Sequence, residues 1–259
     1  METSDGPDET AAEPQGVSIR DRVTRALAMR ILSGGYRQGT ALPTEAELGA
    51  EFGVSRTALR EAARTLAAKG LIETRQRAGT RVRISDDWNR LDADVLAWMG
   101  EVEPDFEFVK GLTEARTIIE PAAAELAALR ATARDLAVIE AAYEAMCAAD
   151  NADLEACADA DVRFHVGILK ASHNPVLANL GNVIAAALRN SFRLTTSAST
   201  NFSTTLDAHG GVLEAIRMRR SADARTRMQA LLGIASEDIL RISEAGVLAP
   251  RLRSTVAAE

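Results

Sequence analysis

The fold of the N-terminal part is decided by residues 44–70, which run TEAELGAEFGVSRTALREAARTLAAKG. Thr44 and Glu47 have the spacing of a capping box, in which two side chains satisfy free N–H groups at a helix start. Gly53 favours the end of that short helix, because glycine adopts the left-handed backbone that closes helices. Ser55 is a good N-cap for a further helix, which Gly70 ends. The stretch therefore predicts two helices joined by a tight turn.

The flanking segments add a helix before this pair and a hairpin after it. Residues 18–32 carry an apolar side chain at every fourth position, which predicts an amphipathic helix with Ile19, Val23, Leu27 and Ile31 on one face. Residues 71–74 and 80–84 alternate apolar and polar side chains around RQRAG at 75–79, which predicts a β-hairpin. Over residues 17–85 we therefore expect a winged helix-turn-helix, an architecture that binds DNA.

The helix after Ser55 carries a basic face. Its apolar stripe consists of Leu59, Ala62, Ala63 and Leu66. The opposite face carries three arginines spaced four residues apart and one threonine, namely Arg56, Thr57, Arg60 and Arg64. Such a helix fits the major groove, where arginine can bond guanine with two hydrogen bonds. Ser55 and Thr57 are candidates for phosphate contacts, as are the hairpin residues Arg75, Arg77 and Arg81. The alternative is a solvated basic surface with no partner, which the capped helix and the hairpin disfavour.

Charge is distributed unevenly along the chain. The formal net charge is −7, but residues 17–84 hold 13 Lys and Arg against 6 Asp and Glu, which is +7 and leaves −14 for the rest. This pattern is typical of a basic nucleic-acid reader joined to an acidic remainder. The first 16 residues lack the basic flank and apolar core of a secretory signal, and no apolar run reaches membrane-spanning length. We therefore expect a disordered tail at 1–16, no membrane partner and a cytoplasmic protein.

From Asp105 onward the sequence is rich in alanine and helix-periodic, with breaks near residues 131–133, 149–151, 174–175, 197–201 and 220–221. The fold class is therefore mainly α, with a helical bundle of six or seven helices over residues 105–245 and a flexible tail at 246–259. Residues 86–104 hold Trp88 and Trp98 among acidic residues, which indicates a packed connector because flexible linkers lack such side chains. Cys147 and Cys157 fit neither a metal pair nor a disulfide framework.

Two of the three histidines lie where they could share a metal ion. Asp161 and His165 are four residues apart in helical sequence, so both side chains lie on one helix face. His209 begins another helical run and could meet them across a bundle, which would complete an Asp and two His ligand set. The alternative is an ordinary Asp–His pair on a helix surface, and the spacing alone favours that alternative.

Four stretches of the N-terminal part form recognisable motifs, namely GxxxGxxLPTExEL at 35–48, GVSRTALREA at 53–62, KGLIE at 69–73 and AGTRV at 78–82. Together they resemble the DNA-binding domain of the GntR superfamily. The resemblance implies DNA contacts by Arg56, Thr57 and Arg60. The full set of expected DNA-binding residues is Thr44, Ser55, Arg56, Thr57, Arg60, Arg64, Arg75, Arg77 and Gly79. Ala46 stands where many relatives have arginine, which removes one operator contact.

The C-terminal part is similar to the FCD-type sensor domain of the FadR branch, through EARxxxE at 114–120, DxxFH at 161–165, ASHNP at 171–175 and HGxVLEAI at 209–216. The resemblance implies a divalent ion (Zn, Ni or Mn) held by Asp161, His165 and His209, with Leu231 at the position of a usual fourth histidine. It also implies an effector site. The expected effector-binding residues are Arg116, Arg163, Arg189, Asn190 and Arg193. Either the metal receives the oxygens of the effector, or the cavity binds the effector directly with Arg116 as the carboxylate anchor.

These expectations together describe a transcription regulator that is not an enzyme. The resemblance implies a homodimer on an inverted repeat, acting as a repressor that a pathway metabolite releases. Similarity over WNxLDxDVL at 88–96 points to a sugar acid such as galactonate or gluconate as the effector. Two alternatives stay open. A metal-dependent hydrolase would need a general base beside the metal, and an architectural DNA-binder would bind without sequence preference.

Overall fold

The computed structural model describes residues 18–75, 79–149, 153–196 and 205–244, in two units that meet in the chain between Arg90 and Leu91. The predicted tails at 1–16 and 246–259 lie outside the described residues. None of the helices in these ranges is both long and apolar enough to cross a membrane.

The N-terminal unit is the predicted winged helix-turn-helix, with three helices and one two-stranded hairpin. Its elements are α1 (Ile19–Leu32), α2 (Glu45–Phe52), α3 (Arg56–Ala68), β1 (Ile72–Arg75) and β2 (Gly79–Val82). The predicted caps are present, because the Thr44 hydroxyl accepts from the Glu47 N–H, the Glu47 carboxylate accepts from the Thr44 N–H, and Ser55 caps α3. In the antiparallel hairpin Ile72 pairs with Val82 and Arg75 with Gly79. The local signals therefore predicted the starts of α2 and α3 and the turn between them.

The core of this unit is formed by one face of each element. Its buried apolar side chains are Val23, Leu27 and Ile31 of α1, Leu48 of α2, Leu59, Ala62 and Leu66 of α3, and Leu71, Ile72 and Val82 of the hairpin region. The prediction that Ile19 belongs to this face is wrong, because Ile19 is 58% exposed. A repeat of four residues drifts about 40° per step against the 3.6-residue turn, so the first member of the series rotates out of the core.

The C-terminal unit consists of eight helices among the described residues. They are α4 (Ala93–Met99), α5 (Phe106–Arg130), α6 (Ala133–Ala148), α7 (Leu154–Ala171), α8 (Pro175–Asn179), α9 (Gly181–Thr196), α10 (Leu206–Arg217) and α11 (Ser221–Glu244). Seven of these follow Asp105, at the upper end of the expected six or seven. The additional helix is α8, a short turn that Asn174 caps and that has proline at its start. The segment predicted as a connector contains α4, whose Val95, Leu96, Trp98 and Met99 are buried.

Helix α5 is central to this unit and packs against α7, α9, α10 and α11. Its buried stripe includes the small residues Ala123, Ala124, Ala127 and Ala128, which allow neighbouring helices to approach closely. Phe164 and Ile168 of α7 are fully buried in the same cluster. This packing brings polar side chains of α5, α7 and α10 together inside the bundle.

A polar clamp joins the start of α6 to the end of α7. Thr132 and Asp135 form a capping box, and Asp135 also binds the His173 Nε2 atom at 2.8 Å. His173 adopts a left-handed backbone with φ of 49°. Hydrogen bonds from the side chain and backbone of Thr132 lower the pKa of Asp135 to about 2; burial opposes this shift, and His173 adds a smaller lowering. The charged form of Asp135 is therefore the one that holds the clamp.

The clamp predicts a pH-dependent loss of stability when Asp135 is changed. The native pKa lies below the ordinary value of about 3.9, so the carboxylate contributes stability that is present above that value and lost as the pH falls through about 2. Asp135→Asn should lower the free energy of unfolding by roughly 1 kcal/mol at pH 6, as measured by urea unfolding. The difference from wild type should shrink between pH 5 and pH 2. Glu144→Gln, on the exposed face of α6, is the matched control, and an equal loss there would contradict the prediction.

Gly70 is the position where the N-terminal unit tolerates a side chain least. Its φ is +76°, and a Cβ atom there would lie 2.8 Å from the Asp87 carbonyl oxygen. Gly70→Ala should therefore cost more than the ~1–2 kcal/mol of a left-handed alanine alone. Gly34→Ala is the control, since Gly34 has φ of +82° but open space around it. The free energy of unfolding of both variants would be measured by urea unfolding, followed by Trp88 fluorescence in a Trp98→Phe background. An equal loss in Gly70→Ala and Gly34→Ala would exclude the predicted clash.

Candidate functional site

The first candidate site is the exposed face of α3. Arg56, Thr57, Arg60 and Arg64 are all exposed and lie opposite the buried Leu59, Ala62 and Leu66. Arg60 is oriented from the preceding helix, because its Nε atom lies 3.0 and 3.1 Å from the two carboxylate oxygens of Glu45. Arg64 pairs with Glu61 one turn away. Exposed ion pairs of this kind are weak, so DNA phosphates or bases can compete for both arginines.

The remaining predicted DNA-binding residues occupy the ends of helices and the hairpin. The hydroxyl oxygens of Thr44 and Ser55 accept helix-cap hydrogen bonds, so these residues place the N-termini of α2 and α3. The O–H of Thr44 donates to Glu47, whereas capping leaves the O–H of Ser55 able to donate to a phosphate. Arg75 and Gly79 pair at the end of the hairpin, and Gly79 has φ of +77° with open space around it. Arg77 lies outside the described residues. The described residues thus form a basic helix face with a hairpin in the same unit.

The second candidate site lies inside the C-terminal unit, where three helices bring five polar side chains together. Helix α7 supplies Asp161 and His165, α10 supplies His209, and α5 supplies Arg116 and Glu120. All five are buried, with Glu120 only 1% exposed. One ligand atom from each of Asp161, His165 and His209 lies within 4.8 Å of the others. The structure therefore brings together the three residues that the sequence proposed as metal ligands.

The hydrogen bonds of the two imidazoles determine which nitrogens face the centre. His209 Nδ1 lies 2.7 Å from the Thr205 carbonyl oxygen, and His165 Nδ1 contacts Glu120 Oε2. Both partners are pure acceptors, so both Nδ1 atoms carry hydrogen and, in a neutral ring, each Nε2 offers a lone pair. The Asp161 Oδ1 atom lies 3.0 Å from His209 Nε2 and 3.4 Å from His165 Nε2. Three lone pairs then converge, an arrangement that a shared proton or metal ion stabilises.

Electrostatics at the site favour charged partners over neutral ones. Burial disfavours a charged His165, but the negative charges of Glu120 and Asp161 outweigh it and raise the pKa of His165 to about 9. Burial raises the pKa of Glu120, but Arg116 and His165 outweigh it and lower that pKa to about 2. Burial raises the pKa of Asp161, but the positive charge of His165 outweighs it and holds that pKa below its usual range. Without a metal ion, His165 therefore carries the shared proton at neutral pH.

The donor set fits a divalent metal ion. Two imidazole Nε2 atoms and one carboxylate oxygen are common ligands of transition metals, and each imidazole has an acceptor behind it that fixes its orientation. Leu231 of α11, where the resemblance expects a fourth ligand, is buried in the apolar cluster and offers no donor atom. A metal ion held by the three protein ligands would keep positions for exogenous oxygen atoms.

The predicted effector-binding residues divide into two groups. Arg116 is buried beside the metal ligands, and its Nε atom lies 2.6 Å from Glu120 Oε1. Asn190 is also buried and donates to the Ala186 carbonyl oxygen. The other three arginines are exposed. Arg163 and Arg189 line an open groove of about 680 Å³ with Asp159, and Arg193 donates to the Gly100 carbonyl oxygen.

Helix geometry explains why Arg163 is separate from the buried site. It lies about 200° around α7 from Asp161, and thus on the opposite side of that helix. Of the five predicted effector-binding residues, Arg116 is the one that hydrogen bonds link to the proposed metal ligands, through Glu120, which also contacts His165.

Two residues that the sequence left without a role are present in the interior. Glu120 contacts both Arg116 and His165. Ser191 of α9 has a buried hydroxyl with no hydrogen-bond partner among the described residues. Glu120 lies four residues after Arg116, which is a helix-pair spacing and was a usable signal. Ser191 had no such signal, because a serine within an apolar helix face is usually bonded to its own backbone.

Comparisons with known proteins agree with this architecture. Residues 19–82 match the family model "Bacterial regulatory proteins, gntR family", and residues 111–233 match the FCD domain. The galactonate operon transcriptional repressor of Escherichia coli is 40% identical over 86% of this chain and 96% of its own length. A putative L-lactate dehydrogenase operon regulatory protein of Escherichia coli is 32% identical over 87% and 86% of the two chains.

A solved structure shows the same fold. It is that of Lar, described as controlling the expression of the Listeria monocytogenes agr system, and it has a TM-score of 0.56 and 20% identity over 88% of this chain and 99% of that chain. These similarities support the regulator over both alternatives, the hydrolase and the architectural DNA-binder. The chain belongs to the gntR family of bacterial regulatory proteins, and it is a DNA-binding transcription regulator with an FCD domain.

Proposed function

We propose that this regulator is a repressor that leaves its operator when a small carboxylate, a sugar acid of the galactonate type, binds in the FCD domain. The observation that carries the proposal is the buried cluster of Arg116, Glu120, Asp161, His165 and His209. This cluster suits an anionic ligand with several oxygen atoms, because it combines a guanidinium with three side chains of metal-ligating type. The same cluster would hold the metal ion to which those oxygen atoms bind.

The metal part of the proposal rests on three protein ligands. Asp161, His165 and His209 would hold Zn²⁺, Ni²⁺ or Mn²⁺, all of which accept imidazole and carboxylate ligands. A bound metal supplies a positive charge to which carboxylate or hydroxyl oxygens can bind. Because Leu231 offers no ligand, those oxygens complete the coordination that a fourth histidine would otherwise fill.

The effector part rests on buried polar groups of the same unit. Arg116 uses Nε toward Glu120, and its two terminal nitrogens are the donors that a carboxylate would engage in a bidentate pair. The Ser191 hydroxyl and the Asn190 amide are buried on α9 and suit the hydroxyl groups of a sugar acid. The galactonate operon repressor, as a 40% identical relative, supports this ligand class.

The DNA part rests on the basic face of α3. We infer a homodimer, because two copies of one reader match the half-sites of an inverted repeat. The effector would shift the equilibrium between a DNA-binding and a DNA-releasing state of the dimer. The size of that shift cannot exceed the difference between its binding free energies for the two states, typically ~1–3 kcal/mol. Since its target is chromosomal DNA, the protein acts in the bacterial cytoplasm.

Arg60 provides a test of the DNA part. Arg60→Ala should lower the preference for operator over scrambled DNA by roughly 1–3 kcal/mol, because a base-contacting arginine carries sequence information. The ratio is measured by fluorescence anisotropy at one fixed salt concentration. Arg20→Ala is the matched control, since Arg20 is an exposed arginine of α1 paired with Asp21. An unchanged ratio in Arg60→Ala would rule out base reading by this residue.

Thermal melting tests the effector and metal parts together. Galactonate should raise the melting temperature of the zinc-loaded protein more than gluconate or lactate does, since a ligand at about 100 times its Kd stabilises the folded state by about 2.7 kcal/mol. A chelator and the variant His209→Ala should each abolish the rise. His173→Ala, which alters the exposed histidine of the clamp, should keep it. A rise that survives the chelator would contradict the metal role, and no rise with any acid would contradict the effector class.

A further inference from the structure

Glu120 holds the interior site together through two different hydrogen bonds. Its Oε1 atom lies 2.6 Å from Arg116 Nε, and its Oε2 atom contacts His165 Nδ1. The side chain of Glu120 is 1% exposed, that of Arg116 3% and that of His165 2%. Water therefore does not replace either contact, and each partner depends on this one carboxylate for its position.

The contact with His165 determines how that ring can act. A carboxylate that accepts from Nδ1–H keeps the hydrogen on that nitrogen and directs Nε2 to the opposite side. The opposite side is where Asp161 Oδ1 and His209 Nε2 lie. An acceptor behind the ring also increases the electron density at Nε2, which strengthens its bond to a metal ion.

The contact with Arg116 explains how a charged carboxylate can remain in this interior. An unpaired buried carboxylate would take up a proton or force the structure to open, since its desolvation costs several kcal/mol. Arg116 balances that charge from one turn away on α5. The guanidinium is in turn held in one orientation by the oxygen that it pairs with.

We propose that Glu120 is a positioning residue that presents His165 to a metal ion and holds Arg116 toward the bound acid. This inference rests on the metal and effector site proposed above. Glu120 itself contacts neither ligand. It places the two side chains that do, one on each of its oxygens, so a change at Glu120 weakens metal binding without removing a metal ligand.

The experiment compares zinc binding by four forms of the full-length protein at pH 8, using calorimetric titration against a competing chelator. Glu120→Gln keeps the size and one acceptor oxygen but loses the charge, and it should weaken Zn²⁺ binding by about 10- to 100-fold. Glu125→Gln is the matched control on the same helix, since Glu125 also pairs with an arginine, Arg225, but is exposed. It should bind Zn²⁺ as wild type does.

A double variant guards against misfolding. Glu120→Gln leaves Arg116 as an unpaired buried charge, whereas Arg116→Met with Glu120→Gln leaves none. The double variant should show the same weakened zinc binding while melting closer to wild type. If it binds Zn²⁺ as tightly as wild type, the loss in Glu120→Gln comes from the unpaired arginine and the positioning role is overturned.

A spectroscopic readout separates positioning from general destabilisation. In the zinc-loaded wild type, the Nδ1 proton of His165 should resonate far downfield and exchange slowly, because a buried carboxylate accepts it. That signal should move upfield in Glu120→Gln and stay in place in Glu125→Gln. With only three histidines in the chain, variants at His173 and His209 complete the assignment.

The outcomes distinguish the two proposals. If wild-type protein binds no Zn²⁺, Ni²⁺ or Mn²⁺, the proposed metal site fails and this inference fails with it. If wild type binds Zn²⁺ and Glu120→Gln binds it equally well with an unchanged Nδ1 signal, only the positioning role of Glu120 is overturned.

Discussion

The C-terminal unit depends on the pairing of opposite charges inside an otherwise apolar bundle. Asp161 and Glu120 are the two carboxylates, and both lie against His165, while Arg116 balances Glu120 from the other side. Each of these ions alone would cost several kcal/mol to bury. Since the partners come from α5, α7 and α10, the three helices are locked in one register, because a slip of one turn would leave two charges unpaired. Folding of the bundle and formation of the site are therefore the same event.

The surrounding apolar residues make this pairing geometrically possible. Aspartate is a short side chain, so Asp161 reaches His209 only if α7 and α10 lie close together. Phe164 packs edge-on against both imidazoles, with centroid distances of 5.6 Å to His165 and 5.2 Å to His209. Such contacts restrict the rings to the orientations that their hydrogen bonds also require. The apolar cluster thus sets the separation of the helices, and the polar atoms set the angle of each ring.

The sequence predicted what local chemistry determines and missed what tertiary packing determines. Thr44, Glu47, Ser55 and Gly53 fixed the ends of α2 and α3 because caps act within one helical turn. The grouping of Asp161 with His209 came from resemblance, since no local rule brings α7 and α10 together. Ile19 was misplaced because a repeat of four residues leaves the face of a 3.6-residue helix.

Arg163 and Glu120 show the same limit inside the bundle. Arg163 was expected near the effector because it is an arginine on the correct helix, but charge says nothing of which face a residue occupies. Arg163 is two residues from Asp161, which places it on the opposite face of α7, where it is exposed. Glu120 was available in the EARxxxE motif, yet its importance comes from a contact with His165, 45 residues further along the chain. The spacing within α5 identifies Glu120 only as a partner for Arg116 and gives no sign of its contact with His165.

Leu231 bears on the kind of metal site that the proposal allows. It is buried in the apolar cluster and offers no ligand atom. If Asp161, His165 and His209 hold a metal ion, leucine at the place where the resemblance expects a fourth histidine would leave positions for exogenous oxygen atoms. An acid that supplies those oxygens would gain binding energy from the metal and, in the proposed arrangement, from Arg116 as well. The affinity of the regulator for its acid would then depend on the metal.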